Sequence, residues 1–361
     1  MSRLIFHVDV NSAFLSWEAT RRVQNGEPDL RLIPSAIGGD QAQRRGVILA
    51  KSTPAKAFGI KTGEPVATAL RKCPDLVLAK PDFSLYVASS RKFVAICEEF
   101  APVVEKFSID ECFLDMTGTE RVYPDPVEAA HRLKDTIRDR LGFTVNVGIG
   151  ENKLCAKMAG DFKKPDLVHT LWPAEIPEKL WPLDVEELLS VGEATAAKLR
   201  RVGISTIGQL ANCGEDTLCS LFGEKTGRHL HRSANGIDDS EVMAQREDAK
   251  GYSVSSTLER DVTDYAAADA ILLAQSDVVA SRMRADGAQA WCVAVSIRTS
   301  DFVNRSHQKK LAAATDITGE ISREVRALLR ELWNGKTPLR LLGVALTDID
   351  RSGSEQLTLF P

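Results

Sequence analysis

Two β-branched and aromatic runs, VVEKFSI and CFLDM, flank a pair of adjacent carboxylates, Asp110 and Glu111. Each run has the composition of a half-buried strand, and two neighbouring charges cannot both enter a core. The chain must therefore reverse close to them, which makes residues 103 to 116 a hairpin with the acids at one end. A solvated turn explains such a pair without any function, because turns favour Asp and surfaces favour Glu. The constraint lies in what surrounds it.

LIFHVDV (4 to 10) reads as a strand, and SAFLSWEATRRV follows at helical spacing, with Ser12 as its cap. SLYVASSRKFVAICEEFAP is a helix stopped by Pro102, DPVEAAHRLKDTIRDRLG a helix stopped by Gly142, and FTVNVGIG a strand. With the hairpin between them these give β-α-β-β-α-β, interrupted by an insertion over 24 to 76 that carries Arg44, Arg45, Lys51, Lys56 and Lys61. In such a sheet the end of the first strand, Asp9, can lie beside Asp110 and Glu111.

From about 171 the pattern changes to short helices. VEELLSVGEATAAKLRRVGISTIGQLA holds a helix, a glycine turn at Gly192, a second helix, a turn at Gly203 and a capping box from Thr206 to Gln209. Residues 236 to 251 are polar enough for a linker. A second β-α-β-β-α-β pattern follows over 252 to 350, and the tail RSGSEQLTLFP turns from polar to apolar. The fold class is α+β, in several domains.

At 361 residues, with 43% hydrophobic and 27% charged, the chain has ordinary globular composition and exceeds one typical domain. No apolar run approaches the roughly 20 residues of a membrane helix, and MSRLIFHVDV lacks the layout of a signal peptide. The expectation is a soluble protein of the cytoplasm, without a membrane partner. Seven cysteines without a CxxC pair suggest neither a disulfide framework nor a zinc site. A net charge of −4 leaves nucleic-acid binding open, since a basic groove can coexist with an acidic back.

Three converging carboxylates repel one another by about 4 kcal/mol per pair at about 4 Å and an effective dielectric near 20. Such a cluster takes up protons or cations, and oxygen ligands without His or Cys favour Mg²⁺, whose usual co-ligands are phosphates. That points to phosphoryl or nucleotidyl transfer, with hydrolysis by paired carboxylates as the competing chemistry. GIGENKLCAKMAGDFKKPD (148 to 166) lacks the third glycine of a dinucleotide site. Its lysines are informative: Lys153 and Lys157 share a helix face, and Lys163 and Lys164 close it. A solvated helix end explains them, and so does a triphosphate held by Lys164. The turn at Gly192, with Lys198, Arg200 and Arg201 beyond it, has the form of a helix-hairpin-helix, whose amides grip phosphate without reading bases. Arg298, Arg305, Lys309 and Lys310 on the second sheet's hairpin would add backbone contacts, although charged solvent faces are common.

HVDVNSAF, RRGVILAKSTPAKAFGIKTG, FSIDECFLD and GIGENKLCAKMAGDFKKP, together with the helix-hairpin-helix, resemble the Y-family, lesion-bypass DNA polymerases over essentially the whole chain. The resemblance implies a right-hand polymerase: palm 1–23 and 77–170, fingers 24–76, thumb 171–235, linker 236–251, little finger 252–350 and a clamp-binding tail 351–361. It implies that Asp9, Asp110, Glu111 and the Val10 carbonyl hold two Mg²⁺ ions, that Phe14 is a steric gate against ribonucleotides and that Lys164 binds triphosphate. Primer-template DNA and deoxynucleoside triphosphates (dNTPs) are the implied partners, with low fidelity and no proofreading. Gln356, Leu357, Leu359 and Phe360 resemble a peptide that docks on the bacterial sliding clamp. The family's usual fingers Tyr and Arg are here Thr53 and Lys56, a hydroxyl and a point charge without Arg's fork. Asn11 and Ala13 replace a commoner Asp and aromatic. The rival readings are a catalytically silent scaffold that binds DNA or clamp, and a helix-hairpin-helix nuclease.

Overall fold

The computed structural model describes residues 3–39, 46–245 and 248–352, and the chain divides near residue 246 into two compact units. In the first unit the elements run β1 (Ile5–Val10), α1 (Ala13–Gln24), β2 (Ser35–Gly38), β3 (Ile48–Lys51), α2 (Thr53–Ala57), α3 (Val66–Lys72), β4 (Val77–Ala79), α4 (Phe83–Phe100), β5 (Val103–Lys106), β6 (Glu111–Asp115), α5 (Pro126–Leu141), β7 (Val145–Gly150), α6 (Lys153–Asp161) and β8 (Val168–Leu171). The main sheet has the order β5-β6-β1-β7-β8, with β1 central and antiparallel to both neighbours.

The period-two rule decides what β1 offers to each side. Phe6, Val8 and Val10 enter a core shared with Trp17, Tyr86, Phe93, Leu133 and Ile137 from α1, α4 and α5. The alternate residues Ile5, His7 and Asp9 take the other face, where Ile5 packs with Phe113 and Ala156 of α6. Helix α6 sits directly on β7. A Cβ on Gly148 would meet the Ala156 carbonyl oxygen at 2.0 Å and the Gly160 nitrogen at 2.3 Å, so only glycine admits this approach.

The expected β-α-β-β-α-β order is present, with one strand more. VHTL, β8, pairs parallel with β7 although it is only four residues long and follows Pro165 closely. The insertion carries a small sheet of order β3-β2-β4 with α2 and α3 packed on Ile48, Ile60 and Val66. Because β4 pairs parallel with β2, the insertion's sheet extends through Ala79 and not only to residue 76.

Four helices, α7 (Glu193–Arg201), α8 (Ile207–Ala211), α9 (Glu215–Phe222) and α10 (Glu224–Ala234), then enclose Leu188, Leu199, Ile207, Leu210, Leu218 and Leu230. The capping box is formed: Gln209 N–H donates to Thr206 Oγ1 at 3.2 Å, and Thr206 N–H to Gln209 Oε1 at 3.1 Å. The helix expected before Gly192 is only one 3₁₀ turn, Val185–Glu187. Val185 N–H donates to Ser205 O and Asp184 bridges Thr206, so pairing across the segment overrides helical composition. The first half of the expected linker is also tied down. Arg3 donates to the Asp238 and Ser240 carbonyls at 3.0 and 2.9 Å, and Met243 N–H to Glu105 Oε2 at 2.9 Å.

The second unit is β9 (Gly251–Val262), α11 (Tyr265–Ala285), β10 (Gln289–Thr299), β11 (Asn304–Thr315), α12 (Thr318–Leu332) and β12 (Leu339–Asp350), the second β-α-β-β-α-β. Its sheet runs β11-β10-β12-β9, entirely antiparallel. Both helices cover the face that carries Val293, Val295, Ile297, Leu342, Val344 and Leu346.

Candidate active site

The register of β1 and β6 makes Asp9 the direct partner of Glu111, and Val10 N–H donates to the Asp110 carbonyl at 3.0 Å. The three acids therefore stand at one end of two adjacent strands. Each carboxylate has a different partner. Glu111 Oε2 accepts from His7 Nε2 at 2.7 Å and from the Lys157 ammonium, Asp9 Oδ2 accepts from Lys164, and Asp110 Oδ1 accepts from Ser108 Oγ at 2.7 Å. Lys164 is shared with Asp161 at 2.8 Å, and Lys153 pairs with Glu105 at 2.7 Å.

Burial pushes the Asp9 carboxyl above its ordinary range, and the Lys164 charge only partly opposes this. For Glu111 burial acts in the same direction, but the hydrogen bonds from His7 and Lys157 outweigh it and hold the group down to about 2. Burial alone would lower Lys164, yet the charges of Asp9 and Asp161 raise it, so it remains an ammonium.

Among the described residues no three His, Cys, Asp or Glu side chains are drawn together on one point. Lysines and a histidine hold oxygens of Asp9 and Glu111, and Ser108 holds one of Asp110. The donor set nonetheless fits Mg²⁺, being all hard oxygen on adjoining strand ends, with a desolvated Asp9 that gains from a counter-cation.

Helix α6 and the segment after it, which carries Lys164, are seated by an amide network. Asn146 Nδ2 donates to the carbonyls of Gly160 and Lys163 at 3.1 and 2.7 Å, and its Oδ1 accepts from Asn11 Nδ2 at 3.1 Å. Asn11 Oδ1 in turn accepts from Asp166 N–H at 3.0 Å. Asn11 thus works as a neutral strut that seats the segment bearing Lys164.

A cavity of about 240 Å³ opens beside Asp9 and Asp110. The β1–α1 junction contributes Val10, Ser12, Ala13 and Phe14 to its lining, and the insertion contributes Leu49, Ala50, Lys51, Lys56 and Thr62. Phe14 is stacked on Tyr86, with Phe83 edge-on at 6.0 Å. Ser12 does occupy the cap position of α1, but in left-handed geometry (φ 48°) and without a capping bond; Ser16 Oγ bonds the Asn11 carbonyl instead. The two fingers departures separate here. Lys56 lines the cavity, whereas Thr53 is exposed at the start of α2 and outside that lining.

Models of the impB/mucB/samB family match residues 8–161, and its C-terminal domain matches 249–359; the DNA polymerase-iota thumb domain matches 186–238. The DNA polymerase IV of Clostridium acetobutylicum is 44% identical over 361 residues, covering 100% of this chain and 90% of that protein. DNA polymerase IV 1 of Bacillus subtilis is 36% identical over 99% of this chain and 86% of its own. A solved Y-family DNA polymerase chimera, Dbh-Dpo4(243-245)-Dbh, superposes with a TM-score of 0.85 at 22% identity, covering 96% of this chain and 99% of that one.

The chain belongs to the Y-family DNA polymerases.

It is a DNA-directed DNA polymerase of the translesion class. The main sheet is the palm, the inserted small sheet the fingers, α7 to α10 the thumb and the second unit the little finger. No helix among the described residues is long and apolar enough to cross a membrane.

The thumb and little-finger cations are less available than their charges suggest. Gly192 caps α7, but Lys198 donates to the Leu221 carbonyl and lies 4.5 Å from the centre of the Phe222 ring. Arg200 pairs with Asp184 at 2.6 Å and Glu186 at 3.0 Å. In the little finger the register splits the expected set between two faces. Arg305 stands opposite Ile297 and Lys309 opposite Val293, on the helix side, where Lys309 pairs with Glu324 at 2.7 Å. Arg298 takes the other face and donates to Asn304 Oδ1 at 2.7 Å. Gln356, Leu357, Leu359 and Phe360 lie outside the described residues, as do Arg44 and Arg45.

The sequence reading missed three residues of the site. His7 was legible only as a polar residue in an apolar strand, Lys157 only as half of a basic helix face, and Lys51 only as one charge among several in the insertion.

Proposed function

We propose that this polymerase extends a primer 3′-end by template-directed nucleotidyl transfer from dNTPs, with two Mg²⁺ ions and no protein nucleophile. The observation that carries the proposal is the pairing of Asp9 with Glu111, with Asp110 beside them, at a cavity that Phe14 and Lys56 also line. Asp9, Asp110, Glu111 and the Val10 carbonyl would hold the ions, which when bound supply Lewis-acid activation of the primer hydroxyl and neutralise charge on the triphosphate and leaving pyrophosphate. Lys164 exchanges its Asp9 partner for a phosphate oxygen, and Lys56 adds a second positive point to the same anion. Phe14 presents a fixed ring where a ribose 2′-hydroxyl would have to sit. Thr53, exposed at the start of α2, would offer only a hydroxyl to a nucleotide entering from the fingers side. Low fidelity without proofreading belongs to the same reading.

Primer-template DNA would be held through backbone phosphates. The amides at Gly192 and Arg298 on the open face of the little-finger sheet are suited to it; Lys198 on the thumb would have to exchange the Leu221 carbonyl for a phosphate, and Arg305 and Lys309 would contribute only from the edge strand β11. Gln356, Leu357, Leu359 and Phe360 would dock on the sliding clamp and raise the enzyme's local concentration at primer ends.

Primer extension with Mg²⁺, run beside Asp110→Ala, tests the reaction. Extension by the wild type alone, with equal duplex binding by both, supports the site. Extension by the variant overturns the assignment, and duplex binding without synthesis by either protein favours a silent scaffold.

A further inference from the structure

Lysines surround this site, but they are not equivalent. Lys153, Lys157 and Lys164 are each neutralised by a carboxylate: Glu105, Glu111 and Asp9. Among the described residues Lys51 and Lys56 form no ion pair, although both line the cavity that holds Asp9 and Asp110. Lys51 closes β3 and donates to Thr62 Oγ1 at 3.0 Å, a neutral acceptor that also lines the cavity. Burial lowers its pKa, and the Lys56 charge lowers it further against a smaller pull from Glu64. Two like charges that repel across a partly desolvated wall are relieved by an anion placed between them.

The fingers explain why two ammonium groups are needed. A guanidinium at position 56 would bring a fork of donors to an oxyanion, whereas Lys56 is a single point, and Thr53 lies outside the lining. We infer that Lys51 is a second triphosphate-binding residue, held ready by Thr62, and that the Lys51–Lys56 pair replaces one guanidinium fork with two separate ammonium contacts. The inference rests on the polymerase reading and deepens it. Lys51 touches the substrate's phosphates in this scheme, and Thr62 is a positioning residue.

The test compares wild type, Lys51→Met, Lys51→Arg and Thr62→Val on one primer-template, with tripolyphosphate as a nucleoside-free competitor. A charge-assisted contact of ordinary strength predicts that Lys51→Met raises the KM for dNTP about tenfold or more, with kcat within about threefold. The inhibition constant of tripolyphosphate should rise in parallel, Lys51→Arg should restore most of both, and Thr62→Val should give a smaller rise. Thermal melting and duplex affinity equal to wild type would show that the fold and DNA grip are intact. An unchanged KM in a folded Lys51→Met overturns the assignment. So does a KM that rises while tripolyphosphate inhibition stays constant, because Lys51 would then act on sugar or base, and so does a loss confined to kcat or DNA affinity. A wild type that does not extend primers would instead sink the polymerase reading itself.

Discussion

The ring of Phe14 lies against that of Tyr86, 4.5 Å between centres and 11° from parallel. Tyr86 is fully buried and also meets the rings of Trp17 and Phe83, so the Phe14 ring proposed as the gate is backed by a wall of rings. Phe14→Ala should therefore raise ribonucleotide use relative to deoxynucleotide by about tenfold or more, measured as a ratio of kcat/KM. Tyr86→Leu removes the backing without the gate and should weaken discrimination by less, whereas Tyr86→Phe, which keeps the ring, should preserve it. Unaltered sugar selection in Phe14→Ala would return Phe14 to the core.

Asn146 satisfies four backbone or side-chain groups in the interior. Replacing it by Ala takes this partner from the Asn11 amide, the Leu167 N–H and the Gly160 carbonyl, while the Lys163 carbonyl keeps His169, and at about 1 to 3 kcal/mol per buried unpaired group the expected loss of stability is about 3 kcal/mol. Urea unfolding measures that loss. The KM for dNTP should rise as well, because Lys164 loses its seat; a destabilised variant with wild-type KM would show that Lys164 does not depend on the network.

Asp82 caps α4, accepting from Ser84 Oγ, Leu85 N–H and Arg21, and these contacts hold its carboxyl down to about 2. An unfolded aspartate titrates near 3.9, so the stabilisation is complete above about pH 4 and disappears as the pH falls towards 2. Asp82→Ala should melt below wild type at pH 7, with the gap narrowing between about pH 4 and 2. A constant gap over that window would assign the effect to packing.

Deleting residues 356 to 360 should leave extension on a naked primer-template unchanged and reduce only clamp-stimulated synthesis. Equal losses with and without clamp would make the tail a structural segment.

How much of this was legible depended on whether the cause was local. The hairpin at Asp110 and Glu111 and the placing of Asp9 beside it follow from period-two patterning and a forced reversal, and the register bears them out. β8 escaped notice because four residues after a proline carry too little pattern. The helix before Gly192 was overestimated because VEELL favours helix while Val185 is claimed by Ser205, a partner that composition cannot reveal. His7, Lys157 and Lys51 gain their meaning only from residues far along the chain. For the little-finger cations, sequence names the charges of one hairpin but only register assigns their faces, placing Arg298 and Lys310 on one side and Arg305 and Lys309 on the other.

The close seating of α6 on β7 has a kinetic corollary. With no room for even a methyl group between Gly148 and the helix backbone, α6 cannot move further onto the sheet, so a helix shift is not the ready way to part Lys157, which it carries, from Glu111. Rotation of the lysine side chain is the smaller motion, and side-chain rotations belong to a faster class than domain and helix displacements, which take microseconds to milliseconds.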